Sequence, residues 1–273
     1  MGDQMQPLLK VENLGKQYPA RKSAGAIDNF AALDGVSFSI APQTTLALVG
    51  ESGSGKSTLA LCIACLEPPT SGCIFFEGID VAALDQNQLR QLRPQIQLVF
   101  QDPASSLNPR WTALDIVSEP FLVQRRFTKP DRAVRALQLL DRVALSRKLA
   151  GRRAGELSGG QKQRLAIARA LALEPKLIIL DEALSALDCS VQAQIANLLV
   201  ELQSSLGLTY LFITHDLAMA AHLADHVAVM QRGRIVESGP ARKILSSPSH
   251  DATRSLLAAT PRLFESSREL VNF

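Results

Sequence analysis

No stretch of the 273 residues comes near the roughly 20 consecutive apolar positions that a membrane-crossing helix needs. The best candidates, Leu46-Ala47-Leu48-Val49 and Leu177-Ile178-Ile179-Leu180, have the length of strands. The opening Met1-Gly2-Asp3-Gln4-Met5-Gln6-Pro7 has no basic segment followed by an apolar one, so no secretory signal is expected. The chain therefore reads as soluble and intracellular, with any membrane role supplied by a partner. Cysteine is scarce: Cys62 and Cys65 form a C-x-x-C spacing, with Cys73 nearby and Cys189 distant. A zinc or redox centre would want a second pair or neighbouring histidines, and neither accompanies them. Both are expected on a helix, as small residues packed against a sheet. Dense Lys/Arg runs are missing too, and with a formal charge of only +3 this argues against nucleic acid as a partner. Heptads and internal repeats are absent. The 47% hydrophobic content supports a packed globular chain rather than a disordered one.

Hydrophobic periodicity organises the rest. Strands are expected at 8–18, 33–40 and 44–49, with a polar, glycine-containing loop from Ala20 to Asn29. Phe38 and Ile40 alternate with Ser37 and Ser39, the pattern of a half-buried strand. Further strands are expected at 73–76, 96–100, 177–180, 210–213, 227–230 and 234–236, and helices from about Lys56 and over 191–206. Between Thr112 and Leu149 apolar residues such as Ala133, Ala136, Leu137 and Leu140 recur at helical spacing, which suggests a helical insertion. Alternating strands and helices predict an α/β fold with a mainly parallel core sheet and N-terminal antiparallel strands.

The segment Gly50-Glu51-Ser52-Gly53-Ser54-Gly55-Lys56-Ser57 fits G-x-x-x-x-G-K-[ST] completely and is followed by Thr58. It lies between a buried strand and a helix, the context a phosphate-binding loop requires. Glycines let backbone N–H groups turn toward phosphate oxygens, and the helix N-terminus adds partial positive charge. Lys56 would reach the β- and γ-phosphates, and the Ser57 hydroxyl would ligate Mg²⁺. The apolar strand ending in Asp181-Glu182 delivers two carboxylates to one sheet edge, Asp181 for the Mg²⁺ shell and Glu182 to polarise the attacking water. A guanine-reading Asn-Lys-x-Asp motif does not occur.

The phosphate loop alone fits many nucleotide enzymes. The phrase Leu157-Ser158-Gly159-Gly160-Gln161, shortly before that Asp-Glu strand, resembles the signature of the ATP-binding cassette. The chain is similar to the ATPase subunit of an ABC transporter, a P-loop ATPase fold. The phrases Val99-Phe100-Gln101-Asp102-Pro103, Ser106-Leu107-Asn108-Pro109-Arg110 and Ile244-Leu245-Ser246-Ser247-Pro248-Ser249-His250 resemble the F-type ATPase of bacterial oligopeptide and dipeptide importers. Nickel and antimicrobial-peptide importers share much of these phrases. The resemblance implies an ATP-binding domain over 8–261 with a helical subdomain inserted at about 102–165, and a peptide-transporter-type tail over 240–273. It implies that Gln101 contacts Mg²⁺ or water, His215 the γ-phosphate, and Tyr18 the adenine. Ser158, Gly159, Gly160 and Gln161 would close over nucleotide held by an opposite subunit, with Asp188 at that interface. The implied partners are a second ATPase, forming a heterodimer, two transmembrane permease subunits and an extracytoplasmic solute-binding protein. The implied location is the cytoplasmic face of the inner membrane, where the ATPase powers peptide import with ATP and Mg²⁺. Transport of nickel or another solute is the alternative, and a soluble cassette ATPase acting on ribosomes or DNA a more distant one. One departure stands out: Ala183 follows Glu182 where the family usually has proline.

Overall fold

A computed structural model of the protein describes residues 6–21, 27–102 and 106–259. Its centre is a six-stranded sheet in the order β10-β9-β3-β8-β7-β6. These are β3 (Thr45–Val49), β6 (Ile96–Val99), β7 (Leu177–Asp181), β8 (Thr209–Thr214), β9 (His226–Gln231) and β10 (Arg234–Pro240). All neighbours pair in parallel except β10, which returns antiparallel on β9. Every residue of β3, β7 and β8 is buried, which is why they read as continuous apolar runs rather than alternating ones.

Strand periodicity divides these residues between two cores. Ala47, Val49, Ile178, Leu180, Tyr210 and Phe212 face one way. Leu46, Leu48, Leu177, Ile179, Leu211 and Ile213 face the other, toward helix α1 (Lys56–Ile63) and a second sheet. Each such Leu or Ile, removed fully from water, contributes about 1.5–3 kcal/mol. The second sheet is antiparallel, in the order β2-β1-β4-β5, from β1 (Leu9–Arg21), β2 (Ile27–Ile40), β4 (Ser71–Phe76) and β5 (Ile79–Asp80). Its long ribbon corrects the expected loop from Ala20 to Asn29. Pairing runs from Leu9↔Ile40 out to Arg21↔Ile27, with register shifts between Val11 and Gln17. Cross-strand hydrogen bonding sustains strand structure at 20–21 and 27–29, where polarity suggests a loop. Residues 22–26 lie outside the described part.

Helix α1 ends at Ile63, so Cys65 is not helical; it has a left-handed φ of 56°. Cys62 is buried as expected, and burial pushes its thiol up to about 11.

After α2 (Gln86–Leu92), the insertion consists of α3 (Ala113–Val123) and α4 (Lys129–Arg142), packed on α5 (Gly159–Leu171). Capping fixes where they begin. Thr112 and Ser158 form capping boxes with Asp115 and Gln161, and Thr128 accepts from Asp131 N–H. Ile116, Val117, Phe121, Ala136, Leu140 and Leu165 join a hydrophobic cluster continuous with the sheet. Helix α6 (Cys189–Leu206), capped by Asp188, and α7 (Leu217–Leu223) complete that layer. At the C-terminal side, α8 (Ala241–Ser246) and α9 (Asp251–Ala259) follow β10. The Glu237 carboxylate ties them down, accepting bonds from Ser249 N–H and Oγ, His250 N–H and Thr253 Oγ1. These bonds outweigh partial burial and hold its carboxyl down at about 2. The tail phrase Ile244–His250 thus spans the end of α8 and its link to α9, and of the tail expected over 240–273, residues 260–273 lie outside the described part.

Candidate nucleotide site

In a parallel sheet all strands finish at one edge, and β3, β8, β7 and β6 are consecutive neighbours. Their carboxyl ends therefore bring together the Gly50–Ser57 loop, His215, the pair Asp181 and Glu182, and Gln101. This is the edge at which open α/β sheets bind ligands.

Two glycines make the loop sterically feasible. At Gly50 a Cβ would lie 2.2 Å from the Met230 carbonyl oxygen. Gly55 has a φ of 107° and a Cβ there would meet the Ala32 oxygen at 2.4 Å. The closely approached backbone of β2 thus forms one wall. Lys56, only 4% exposed, donates from Nζ to the Gly50 and Glu51 carbonyls, both at 2.8 Å. Ser54 Oγ lies 3.5 Å from the same nitrogen. Burial draws the Lys56 pKa below its usual value, while Glu182 and Asp181 oppose the shift.

Ser57 Oγ donates to Asp181 Oδ1 at 3.2 Å. Burial raises the Asp181 pKa, the Ser57 bond lowers it, Glu182 raises it and Lys56 lowers it. A hydroxyl beside a buried carboxylate is a hard-oxygen donor pair of the kind Mg²⁺ takes, with phosphate and water oxygens completing its shell. Among the described residues no group of three or more His, Cys, Asp or Glu is placed to hold a metal ion.

Glu182 is held from three sides. Gln101 Nε2 donates to its Oε2 at 3.1 Å, His215 Nδ1 lies 3.6 Å from the same oxygen, and Lys56 Nζ lies 3.9 Å from Oε1. Its backbone adopts a left-handed φ of 45°, with its N–H bonded to the Ile213 carbonyl. Such a conformation in a residue with a side chain is strained. Ala183, 2% exposed, places no proline ring on this backbone.

These groups border a cavity of about 320 Å³ lined by Phe30, Ala32, Ser52, Gly53, Gly55, Lys56, Ser57, Thr58, Gln101 and Glu182. Phe30 and Ala32 belong to none of the sequence motifs. Phe30 is 58% exposed and stands directly across the ladder from Tyr18. Tyr18 itself does not line the cavity; the Lys16 ammonium sits 5.0 Å from its ring centroid, held there by Glu67 and the Pro68 carbonyl. The one signal for Phe30 is an aromatic close to the phosphate loop's strand, and its position depends on a ribbon that pattern alone does not reveal.

The signature residues are elsewhere. Ser158, Gly159, Gly160 and Gln161 begin α5 and stay off this cavity. Ser158 and Gly159 are exposed, while a Cβ at Gly160 would strike Val191 at 2.6 Å. Asp188 caps α6 through the Val191 N–H.

Comparison with known proteins identifies the family of the chain. Residues 33–185 match the family described as ABC transporter. The chain is 50% identical over 256 residues to a probable peptide ABC transporter ATP-binding protein of Sinorhizobium fredii, covering 93% of this chain and 72% of that one. It is 46% identical to the dipeptide transport ATP-binding protein DppF of Escherichia coli, covering 94% of this chain and 78% of that one. Among solved structures, a dimeric post-hydrolysis state of the ATP-binding cassette MJ0796 bound to ADP and Pi aligns with a TM-score of 0.77. That alignment has 33% identity and covers 86% of this chain and 99% of that one. By its sequence, its fold and the arrangement of its site, the chain belongs to the ABC transporter family as an ATP-binding protein.

Proposed function

We propose that this chain binds and hydrolyses ATP with Mg²⁺ and uses the cycle to power import of oligopeptides or dipeptides across the cytoplasmic membrane. The observation that carries the chemistry is the convergence of Lys56, Ser57, Asp181, Glu182, Gln101 and His215 at the ends of four neighbouring strands. In this reading the loop amides and Lys56 hold the phosphates, and Ser57 and Asp181 would hold Mg²⁺, which would supply charge neutralisation at the γ-phosphate. Glu182 accepts hydrogen bonding from the attacking water and orients it, with Gln101 and His215 fixing its carboxylate. Phe30 and Tyr18 supply the aromatic surface for the base.

Ser158 to Gln161 lie off the chain's own cavity, which supports their use on nucleotide held by another subunit. The partner in this reading is a second cassette ATPase, and release of phosphate lets the two separate. A groove of about 260 Å³ between β6, α3 and α5 supports docking of a permease. Phe100, Val123, Ala166 and Leu173 line it, and the ion pair of Arg169 with Glu119 (3.1 Å) crosses it. Peptide as cargo is supported by the named relatives. Two permease subunits and an extracytoplasmic binding protein complete the proposed assembly. No helix among the described residues is long and apolar enough to cross a membrane, so attachment is through those subunits.

The test is a detergent pull-down of tagged Glu182→Gln with ATP, with co-purifying chains identified by mass spectrometry. Two multi-span proteins and a second cassette ATPase are expected. Recovery of ribosomal or DNA-repair proteins without membrane subunits would overturn the transporter reading.

A further inference from the structure

The small net charge of the chain conceals a division. Residues 102–165 contain 13 Lys and Arg against 6 Asp and Glu, a balance of +7, whereas the remaining residues hold 16 against 20, a balance of −4. The excess is concentrated where α3 turns into α4. There Arg125, Arg126, Lys129, Arg132 and Arg135 outnumber the acids beside them, which are Asp131, bonded to Thr128 Oγ1, Asp115, bonded to Thr112 Oγ1, and Glu119, paired with Arg169. Among the described residues, the side chains of Arg125, Arg126, Lys129 and Arg132 have no hydrogen-bond or ion-pair partner.

The same corner exposes bulky apolar side chains. Leu122 is 59% exposed, Val123 69% and Phe127 43%. Beside them a depression of about 340 Å³ is bordered by Trp111, Leu114, Leu122, Lys129 and Arg132, with the already bonded carboxylates of Asp115 and Glu119 at its wall. The turn is well fixed: Arg125 N–H donates to the Leu122 carbonyl and Arg126 N–H to that of Phe121, at 3.0 and 2.8 Å. Arg125 and Phe127 are held at left-handed φ values of 52° and 63°, an uncommon conformation for residues with side chains. The Phe127 ring packs edge-on against Phe121, with the Arg135 guanidinium 3.9 Å from its centroid. The corner thus presents, on a turn fixed by its backbone bonds, four cations without direct partners next to exposed Leu, Val and Phe.

Water alone is a poor environment for this combination. A lipid–water boundary suits both halves, since cations meet headgroup phosphates while apolar groups reach the acyl edge. Val123 also lines the groove assigned above to the permease, so the corner adjoins the site where a membrane-embedded subunit would attach. We propose that the α3–α4 corner contacts anionic phospholipid headgroups, with Arg125, Arg126, Lys129 and Arg132 on phosphate and Leu122 and Val123 at the headgroup boundary. This rests on the transporter reading, which brings the corner to the bilayer.

The experiment is vesicle co-sedimentation of the full chain, with ATP hydrolysis measured in parallel. Phosphatidylcholine vesicles are compared with mixed phosphatidylglycerol–phosphatidylcholine vesicles at low and high salt. Binding to the anionic vesicles alone is expected, lost at high salt by screening. The double variant Arg125→Glu, Arg126→Glu should weaken it by about tenfold or more. The same variant should hydrolyse ATP like wild type without vesicles, which reports an intact fold. Leu122→Asp should also weaken vesicle binding. Equal binding to neutral and anionic vesicles, or none to either, overturns the proposal. So does a double variant that binds vesicles normally yet fails to co-purify with membrane subunits in lipid-free detergent, since the corner would then be a protein interface. A wild-type chain that sediments with anionic vesicles but hydrolyses no ATP would leave the lipid surface standing and sink the ATPase reading instead.

Discussion

The chain carries two anion-receptive helix starts, and they are built in opposite ways. At the start of α1 the phosphate loop is wired to the rest of the subunit: Lys56 to two carbonyls, Ser57 to Asp181, and Lys56, Gln101 and His215 around Glu182. At the start of α5 the contacts are local. Ser158 and Gln161 satisfy each other through a capping box, and Ser158 and Gly159 face solvent. The first is preorganised by its own chain. The second has its geometry fixed but its ligand side open, as a surface offered to another molecule would be.

The sharpest way to break this contrast is at Glu182. Glu182→Gln should lower ATP hydrolysis about 10²–10⁴-fold while nucleotide still binds. Steady-state turnover beside a nucleotide-binding titration checks it, and equal turnover in variant and wild type would remove Glu182 from its role. Next in size is Ser158→Arg, placed on one side only of a mixed dimer. A cation blocking that helix start should abolish closure over the opposite nucleotide and leave binding in the chain's own loop near normal. Site-resolved nucleotide occupancy distinguishes the two; an equal loss at both loops would merge the regions that the geometry separates. A smaller effect sharpens the first region alone. Phe30→Ala should weaken ATP binding by about tenfold, the scale of one base–aromatic stack, while inorganic tripolyphosphate binds unchanged. Tyr18→Ala should cost less, because Phe30 borders the cavity itself while Tyr18 stands opposite it on the ribbon.

Smallest for catalysis is a change far from both starts. Glu237→Ala should loosen α9 by about 2 kcal/mol, read by amide hydrogen exchange, with hydrolysis intact. The sign with pH comes from the lowered carboxyl. Glu237 is ordinarily protonated near 4.5 in an unfolded chain and near 2 here, so its stabilisation is complete above about 4.5 and disappears as pH falls toward 2. Protection of α9 should decline across that interval in wild type, and the decline should be smaller in the variant.

Much of this was legible from residue order. β3 and β7 are buried on both faces, so their apolar runs announce a parallel core, and the catalytic candidates come immediately after, at strand ends. Sequence neighbours alone determine that much. What escaped depends on pairing between distant segments. The outer half of the β1–β2 ribbon is stabilised by its cross-strand partner, so residues polar enough to suggest a loop continue as strand. Phe30 consequently borders the cavity, directly across the ladder from Tyr18. Cys65 left its expected helix because α1 is only eight residues long, closing with Ala64 N–H on the Ala60 carbonyl and Cys65 N–H on that of Cys62. The ring of contacts around Glu182 likewise joins residues separated by as many as 126 positions, from Lys56 to Glu182.

Helix α5 has 13 residues, and at 1.5 Å per residue it is about 20 Å long. Its far end, through Ala166, Arg169 and Ala170, borders the groove beside β6, and its near end carries Ser158. A helix so placed would act as a lever between the two. Pivoted near Ala170, a tilt of roughly 5° would carry Ser158, about 18 Å away, through about 1.6 Å, given that rise per residue. A displacement slight at the packed end would thereby become one large enough to make or miss a hydrogen bond at the tip.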